Sequence, residues 1–293
     1  MSKIAPFLWF DGKAEEAVNF YTSIFKNSKI GRISHYGEVG PGPEGTVMSV
    51  TFQLEGQDFY ALNGGPEFTF TPAVSFFVNC DTSKEIDVLW EKLSEMGTVL
   101  MPLNKYPFSE KFGWVMDKFG ISWQLNLEGA MQKINPFLMF IGEQNGKAEE
   151  AMNFYTSIFN NSSIVSIERY GKDEEEPEGA VKRAKFVLGG QEFMAIESGI
   201  QHHFTFTPAI SFFINCKTQE EVDELWEKLL EGGEKQGPGW IKDKYGLSWQ
   251  IVPTILDKLL NDPDPEKSQR VMQAMMKMKK LDIGKLKQAY EGQ

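Results

Sequence analysis

The sequence predicts an α+β fold built from four βαβββ units, and two observations carry this prediction. Strand-like segments come in runs of three, and each run follows one strand and one amphipathic helix. The same order of segments then returns in the second half of the chain. Runs of three strands with one helix per unit favour a sheet that carries its helices on one face.

The first half of the chain shows the segments of two units in order. An apolar strand over 4–10 precedes a helix from Ala14, and strands are expected at 30–36, 46–54 and 57–62. A second unit begins with a strand over 73–80 and a helix that Thr82 or Ser83 can cap and that runs to about Met96. Strands are then expected near 98–102, 112–117 and 121–127.

Long motifs recur in the same order in both halves, which indicates a tandem duplication of a unit of roughly 125 residues. The recurring pairs are GKAEEAVNFYTSIF (12–25) with GKAEEAMNFYTSIF (146–159), FTFTPAVSFFVNC (68–80) with FTFTPAISFFINC (204–216), and GWVMDKFGISWQ (113–124) with GWIKDKYGLSWQ (239–250). We therefore predict a module over 1–130, a second over 131–253 and a helical tail over 254–293. The second module lacks about ten residues of the 101–111 region, which marks a loop where the modules diverge.

The last hairpin of the first module predicts which side chains share a face. Residues 117–120 (DKFG) fit a type I turn followed by a left-handed glycine, which makes a three-residue loop. Trp114 then lies opposite Gln124, and the face they share also carries Met116, Ser122 and Asn126. A two-residue loop would instead place Trp114 opposite Trp123. We prefer the three-residue loop, and the same logic makes Trp240 and Gln250 share a face.

Composition limits the classes of function. The chain of 293 residues is 41% hydrophobic and has a net charge of −11, with Lys and Arg together 30 against 41 acidic residues, which argues against a nucleic-acid surface. A run of about 18 apolar residues is lacking, and so is a signal-like N-terminus, so we expect a cytoplasmic protein that does not enter membranes. Two cysteines suit a reducing compartment. Cys80 and Cys216 are expected to be small buried residues, and His202 and His203 to lie in a solvated loop.

The helix motif AEEAxxFYxxIF and the hairpin motif GWxxDKxGxSWQ resemble those of the vicinal oxygen chelate superfamily, which includes glyoxalase I, bleomycin-resistance proteins and extradiol dioxygenases. The chain is most similar to the PhnB-like branch, often labelled 3-demethylubiquinone-9 3-methyltransferase. The resemblance implies that pairs of units curl into half-open cups with helices outside. A glycine-rich turn between strand and helix, typical of common methyltransferases that use S-adenosylmethionine, is lacking, so we interpret that label as not descriptive.

The resemblance also implies positions for metal ligands on inward-facing strands. The last-strand position falls on Gln124 and Gln250, and the first-strand position falls near Ala5 or Pro6 and near Asn135 or Pro136. These residues do not make up the His and Glu set that a divalent cation needs. We therefore expect no metal and no cofactor, and catalytic residues remain unassigned.

The leading hypothesis is a protein that binds a small, partly apolar molecule in a cup. Its candidate ligand-binding residues are Phe7, Trp9, Asn63, Ser75, Trp114, Ser122, Gln124, Phe137, Met139, Glu197, Ser211, Trp240 and Gln250. The alternative is a divalent-metal-dependent isomerase, lyase or dioxygenase of the glyoxalase type that uses Gln250 and Glu197. A third possibility is a scaffold whose cups are filled by side chains. The predicted assembly is a monomer with an internal pseudo-dimer or a homodimer, with the tail packed across the modules or onto a second subunit.

Overall fold

The computed structural model describes residues 4–293, and within them the chain forms sixteen strands and seven α-helices. The first unit contains β1 (Ile4–Phe10), α1 (Ala14–Ile24), β2 (Lys29–His35), β3 (Val47–Leu54) and β4 (Gln57–Asn63). The second contains β5 (Val74–Cys80), α2 (Ser83–Ser94), β6 (Thr98–Tyr106), β7 (Ser109–Met116) and β8 (Ser122–Leu127).

The second half repeats this order. The third unit contains β9 (Ile134–Ile141), a short 3-10 turn (Gly142–Gln144), α3 (Ala148–Ile158), β10 (Ser163–Arg169), β11 (Val181–Leu188) and β12 (Gln191–Ser198). The fourth contains β13 (Ile210–Cys216), α4 (Gln219–Leu230), β14 (Glu234–Lys235), β15 (Trp240–Lys242) and β16 (Ser248–Pro253). The tail forms α5 (Ile255–Leu260), α6 (Pro265–Met276) and α7 (Ile283–Glu291). The predicted α+β fold of four βαβββ units is thus confirmed.

Each of the two eight-stranded sheets combines one unit from each half of the chain. Sheet A has the strand order β14-β15-β16-β13-β1-β4-β3-β2, and sheet B has the order β10-β11-β12-β9-β5-β8-β7-β6. The halves meet in antiparallel pairs at the centre of each sheet, where Phe7 on β1 lies opposite Ser211 on β13 and Ser75 on β5 lies opposite Phe137 on β9. The sequence repeats therefore do not correspond to separate sheets.

The main hydrophobic core lies between the two sheets. Residues that alternate along each strand, such as Phe59 on β4 and Phe76 on β5, point into this core together with helices α1–α4. Their two rings are in edge contact, with centroids 5.3 Å apart. We call this side of each sheet the helix face and the opposite side the open face.

The recurring motifs of helix and hairpin bond to each other through a buried aspartate. The Tyr21 hydroxyl on α1 donates to Asp117 Oδ2 at 2.7 Å, and Trp123 Nε1 donates to the same oxygen at 2.8 Å. Backbone N–H groups of Phe119 and Ile121 donate to Asp117 Oδ1. Gly120 adopts a φ of +89° in the turn between them, which explains the glycine there.

Asp243 has the same set of contacts in the second half, with Tyr155, Trp249 and the backbone of Tyr245 and Leu247. Burial raises the pKa of Asp117 and Asp243, and the hydrogen bonds oppose that shift. The longest sequence motifs of this chain therefore hold the helix layer to the hairpin and lie on the helix face.

The hairpin register agrees with the three-residue loop. Trp114 lies opposite Gln124 and Met116 lies opposite Ser122, so these residues share the open face of sheet B. Trp123 and Leu125 belong to the core on the helix face. The turn closes with Gly120 N–H donating to the Asp117 carbonyl at 2.9 Å.

Candidate functional site

A cavity of about 240 Å³ lies on the open face of sheet B. Its walls come from both edges of the sheet, with Phe108 beside β6 and β7 on one side and Glu168 on β10 on the other. In a flat sheet these edges would lie roughly 33 Å apart, since adjacent strands are about 4.8 Å apart. The sheet therefore curls into a cup, which we call cup B; the corresponding hollow of sheet A is cup A.

The base of cup B is apolar. Phe77, Phe112, Phe137 and Met194 form a compact cluster on the open face, with Ile196 packed against it. The rings of Phe77 and Phe137 are stacked with centroids 6.0 Å apart. Small-molecule sites are usually lined by such residues with a few polar groups among them.

The long hairpin of β6 and β7 forms one wall of cup B. Met101, Phe108 and Phe112 from this hairpin line the cavity. Phe108 is 56% exposed at the hairpin tip, although its ring makes an edge contact with Phe112 at 5.1 Å. An exposed aromatic side chain at the entrance provides apolar surface that a bound molecule can cover.

Polar groups on β8 lie beside this apolar surface. Gln124 Nε2 donates to Ser75 Oγ at 2.8 Å, which orients the amide. The carbonyl oxygen of Gln124 makes no hydrogen bond within the described part of the chain, and the residue lines the cavity. Trp114, also at the cavity, donates from Nε1 to Ser122 Oγ at 2.7 Å. Cup B thus brings together the predicted residues Ser75, Trp114, Ser122, Gln124, Phe137 and Met139.

Two cations stand at the rim of cup B on β11. Lys182 and Arg183 both line the cavity, together with Glu168 and Tyr170 from the neighbouring edge. Arg183 Nη2 lies 3.3 Å from Glu168 Oε2, and Lys182 pairs with Glu174. Sequence reasoning missed these residues. The signal was present in the sequence, because the equivalent residues of the first repeat are Met48 and Ser49.

Cup A holds the remaining predicted aromatic residues. Phe7 stacks on Tyr60 and Phe213, and Trp240 makes edge contacts with Phe7 at 5.5 Å and Trp9 at 5.9 Å. Gln250 Nε2 donates to Ser211 Oγ at 2.9 Å, as Gln124 does to Ser75. The two cups therefore share their polar pair but differ in what fills the space above it.

The C-terminal tail covers cup A. Leu256, Leu259, Val271 and Leu286 form a second hydrophobic cluster with Val252 of β16, and Phe213 on the open face packs against it. Of the two arrangements expected for the tail, the structure has the one across the modules, and Val271, Met275 and Met278 take part in the cluster.

Polar contacts hold the tail at both edges of sheet A. On the β2 edge, Arg32 pairs with Asp257, and Ser34 Oγ donates to Asn261 Oδ1 at 2.8 Å. On the other edge, the backbone N–H of Gly239 donates to the Lys279 carbonyl at 2.7 Å. The tail thus extends from β2 to β15, across the mouth of cup A.

The sheet that the tail covers has a shorter hairpin than the other sheet. Strands β6 and β7 have 9 and 8 residues, whereas β14 and β15 in the equivalent place have 2 and 3. The shortened hairpin leaves the wall of cup A incomplete, and tail residue Lys279 binds beside β15 through its backbone. The deletion noted in the sequence therefore lies where the tail docks.

Asn63 and Glu197 lie on the helix face. Asn63 Oδ1 accepts from the first N–H of α1, on Ala14, at 2.8 Å. Glu197 Oε1 accepts from Ala148 at the start of α3 at 2.8 Å, and its Oε2 accepts from Val181 N–H at 2.7 Å. Strand alternation explains this placement, because Met194 and Ile196 of β12 take the open face. Both residues hold helix N-termini in the structure.

The polar groups of the cups do not fit a catalytic divalent cation. Glu197 belongs to sheet B and Gln250 to sheet A, so the metal pair of the alternative hypothesis is divided between the sheets. Gln124, Ser75 and Asn135 are neutral, and the unpartnered atom of buried Asn135 is an N–H donor, which repels a cation. Within residues 4–293 no three His, Cys, Asp or Glu side chains form a metal-binding group.

The other reactive side chains lie outside the cups. Cys80 and Cys216 are fully buried, and burial raises the pKa of each thiol to about 12, so both behave as small apolar residues. His202 lies in a loop, with its Nε2 3.3 Å from Ser198 Oγ, and His203 is exposed.

A larger cavity, of about 610 Å³, lies beside the start of α1 and the loop of residues 41–45. Tyr36 Oη donates to the Asn63 carbonyl at 2.6 Å and Asn63 caps α1, while the carboxylates of Asp11 and Glu15 also line this hollow. Tyr36 is the one aromatic residue in its lining, whereas cup B has an aromatic base beside the Gln124 amide.

The sheet order and the tandem cups define a protein of the vicinal oxygen chelate fold. Glyoxalase I from Zea mays, although only 10% identical, matches it with a TM-score of 0.56 over 85% of this chain and 92% of that chain. Both repeats match the family described as 3-demethylubiquinone-9 3-methyltransferase, over residues 2–126 and 132–252, so the chain belongs to this family.

Two further structures are similar. A PhnB protein from Bacillus cereus, a putative 3-demethylubiquinone-9 3-methyltransferase, is 57% identical over 43% of this chain and 98% of that chain, with a TM-score of 0.41. A putative dioxygenase from Bacillus subtilis is 11% identical over 97% of this chain and 94% of that chain, with a TM-score of 0.49. No curated protein matches the chain. None of the helices within residues 4–293 is long and apolar enough to cross a membrane.

Proposed function

We propose that the chain binds one small, partly apolar molecule in cup B and uses cup A as the docking site of its own tail. The observation that carries this proposal is the asymmetry of the cups. Cup B has an open cavity of about 240 Å³ with aromatic walls and an amide oxygen, whereas the tail cluster packs over the open face of sheet A. Ligand cavities usually have about 300–1,000 Å³, and cup B lies just below that range, so the molecule is small.

The chemistry of the cavity supports recognition of a flat molecule with one hydrogen-bond donor. Phe77 and Phe137 offer ring surfaces, and Trp114 is held by its bond to Ser122. The free carbonyl oxygen of Gln124 accepts the donor, and its amide is oriented by Ser75. A preoriented polar group adds affinity because little order is lost when the ligand binds.

Equivalent glutamines in the two repeats give a matched test. Bicyclic aromatic probes (2-naphthoate, 2-naphthamide and 2-naphthylmethylamine) are titrated by calorimetry into the wild type, Gln124→Ala and Gln250→Ala. We expect one site per chain. For the two probes that carry an N–H donor, 2-naphthamide and 2-naphthylmethylamine, we expect a loss of about fivefold to thirtyfold in affinity in Gln124→Ala, because one hydrogen bond contributes about 1–2 kcal/mol. Gln250→Ala retains wild-type affinity. Equal losses in the two variants, or no saturable binding of any probe, contradict the proposal.

The family description raises S-adenosylmethionine as a ligand, and the setting of the glycines argues against it. Gly189 and Gly190 form the turn between β11 and β12, with φ of +59° and +88°. Gly232 and Gly233 follow α4, and Gly64 and Gly65 follow β4 and lead to another strand. None of these pairs joins a strand to a following helix, where the common methyltransferases bind this cofactor. We expect no calorimetric signal with S-adenosylmethionine.

The metal-dependent alternative is distinguished by metal analysis. Zinc, manganese, nickel or iron that copurifies in stoichiometric amount, or that tightens probe binding on reconstitution, would favour the enzyme. We expect neither, because the polar groups at the base of cup B are amides and hydroxyls and the one carboxylate of the lining, Glu168, is paired with Arg183.

A further inference from the structure

The cations at the rim of cup B are a feature of one repeat only. Lys182 and Arg183 stand where the first repeat has Met48 and Ser49, and Glu168 stands where the first repeat has Ser34. In cup A that serine binds the tail, since Ser34 Oγ donates to Asn261 at 2.8 Å. The cup that stays open therefore carries charged residues where the covered cup has neutral ones.

A β-bulge directs both cations to the same cavity. On β11, Arg183 pairs with Glu168 and Val181 pairs with Arg169, so Lys182 has no partner of its own in the register. A bulge of this kind places two consecutive side chains opposite one residue, instead of on opposite faces. Both Lys182 and Arg183 consequently line cup B.

The existing ion pairs leave Lys182 and Arg183 available to bind a ligand. The side chains of Lys182 and Arg183 are 37% and 45% exposed, and those of their partners Glu174 and Glu168 are 39% and 51% exposed. Exposed ion pairs of this kind are weak and exchange partners readily. The guanidinium of Arg183 has five N–H donors, of which the contact with Glu168 uses one.

The balance of charge at the cavity is positive. Two cations line it against a single carboxylate, Glu168, because Glu174 does not belong to the lining. An anionic ligand group at the rim lies near both cations while its apolar part covers the aromatic base. A cationic ligand group meets one carboxylate of the lining, Glu168, and is repelled by the two cations.

From this geometry we propose that the ligand of cup B is a flat apolar molecule with one anionic oxygen group, which Lys182 and Arg183 bind at the rim. The proposal rests on the proposed function and specifies the ligand class of the same site. Carboxylate and phosphate share the relevant chemistry, and Arg binds both with paired N–H donors.

The test compares probes of equal shape and different charge. The probes 2-naphthoate and 2-naphthyl phosphate are compared with neutral 2-naphthamide and cationic 2-naphthylmethylamine by calorimetry. We expect the anions to bind about tenfold more tightly than the amide, as charge-assisted hydrogen bonds are about twice as strong as neutral ones. This advantage decreases as salt rises to roughly 0.5 M, because the rim is exposed.

The matched variant Lys182→Met/Arg183→Ser carries the residues of the first repeat. It is expected to lose the preference for anions while retaining 2-naphthamide binding, which also verifies that the variant is folded. Arg183→Gln alone serves if the double variant does not fold, and it removes most of the preference. Tighter binding of 2-naphthyl phosphate than of 2-naphthoate would identify phosphate as the anionic group that the rim recognises.

The outcomes separate the two proposals. Saturable binding in cup B with equal affinity for anionic and neutral probes, or with preference for the cation, overturns the anion proposal and leaves the proposed function intact. Unchanged anion preference in both rim variants likewise overturns it. Failure of every probe to bind in a Gln124-dependent manner overturns the proposed function itself.

Discussion

At the scale of single residues, the helix and hairpin motifs that recur in this sequence are explained by one buried carboxylate in each half. Asp117 accepts four hydrogen bonds from the helix motif and its own hairpin, and Asp243 does the same in the second half. Neither aspartate lies in a cup. The motifs that identify the fold are therefore structural, and residues that vary between the repeats distinguish the two cups.

Removing one donor to Asp117 tests this role. Tyr21→Phe leaves the carboxylate with one hydrogen bond fewer in a buried place, which costs about 1.5–3 kcal/mol of unfolding free energy. Tyr155→Phe should cost a similar amount at Asp243. Tyr106→Phe is the control, because its hydroxyl donates to the Pro102 carbonyl at an exposed site, and it should cost less than about 1 kcal/mol. Urea unfolding measures all three, and equal costs would contradict the role of the aspartates.

The buried thiols predict a loss of stability in alkaline solution. Burial raises the pKa of Cys80 in the folded chain from 9.0 to about 12, so above pH 9 the unfolded thiol loses its proton while the folded one keeps it. The stability from this group is complete below about pH 9 and is lost as the pH rises toward 12.

Comparison with Cys80→Ala separates the contribution of this thiol to the pH dependence of stability from the contribution of the tyrosines. Between pH 8 and pH 10.5 the wild type should lose about 2 kcal/mol more than Cys80→Ala. Cys216→Ala should behave alike, since burial raises that thiol pKa to about 12 as well. Parallel pH profiles of wild type and variants would show that the folded thiols ionise normally.

At the scale of elements, the tail replaces what the second repeat lacks. The hairpin β6–β7 forms a wall of cup B, while the short β14–β15 leaves room that the tail helices occupy. The cover depends on apolar contacts, because Leu286 is fully buried and packs with Val271 and Leu281. The ion pair of Arg32 with Asp257 is exposed and adds little.

Truncation of Leu286 is expected to loosen this cover. Leu286→Ala should cost about 2–5 kcal/mol, as for other buried leucines, and should speed hydrogen exchange in α5–α7. Leu100→Ala, at a site 37% exposed on β6, should stay within about 0.5 kcal/mol of the wild type. Unchanged exchange in the tail of Leu286→Ala would mean that other contacts hold it.

At the scale of the whole molecule, the two halves complete each other's sheets. In sheet A, β1 pairs with β13, and in sheet B, β5 pairs with β9; these are equivalent pairings related by the duplication. A single repeat therefore has two open sheet edges, one at β1 and one at β5, and each is complementary to the other.

An isolated first repeat, residues 1–130, is expected to form a homodimer in which β1 of each copy pairs with β5 of the other. Unpaired central strands would otherwise expose backbone groups and apolar surface. Light scattering during gel filtration measures the mass, and the full-length chain is the comparison. A compact monomer of the isolated repeat would contradict the expectation.

Much of the fold follows from local signals in the sequence. The helix starting at Ala14, the strands expected at 46–54 and 57–62 and the register of Trp114 with Gln124 all agree with the structure. Periodicity and turn chemistry act over a few residues, so they can be recognised without the fold. The role of Asn63 and Glu197 at helix N-termini does not follow from local signals, because each residue lies 49 positions from the helix residue that it contacts.

The sequence by itself determined the duplication, the βαβββ units, the family and the face on which each hairpin residue lies, because these depend on repeats and on alternation along one strand. Only the tertiary structure decided which units share a sheet, which cup the tail covers and which cations border the cup that remains open. Those features depend on contacts between residues far apart in the chain, such as Ser34 with Asn261, and short-range patterns do not encode such pairings.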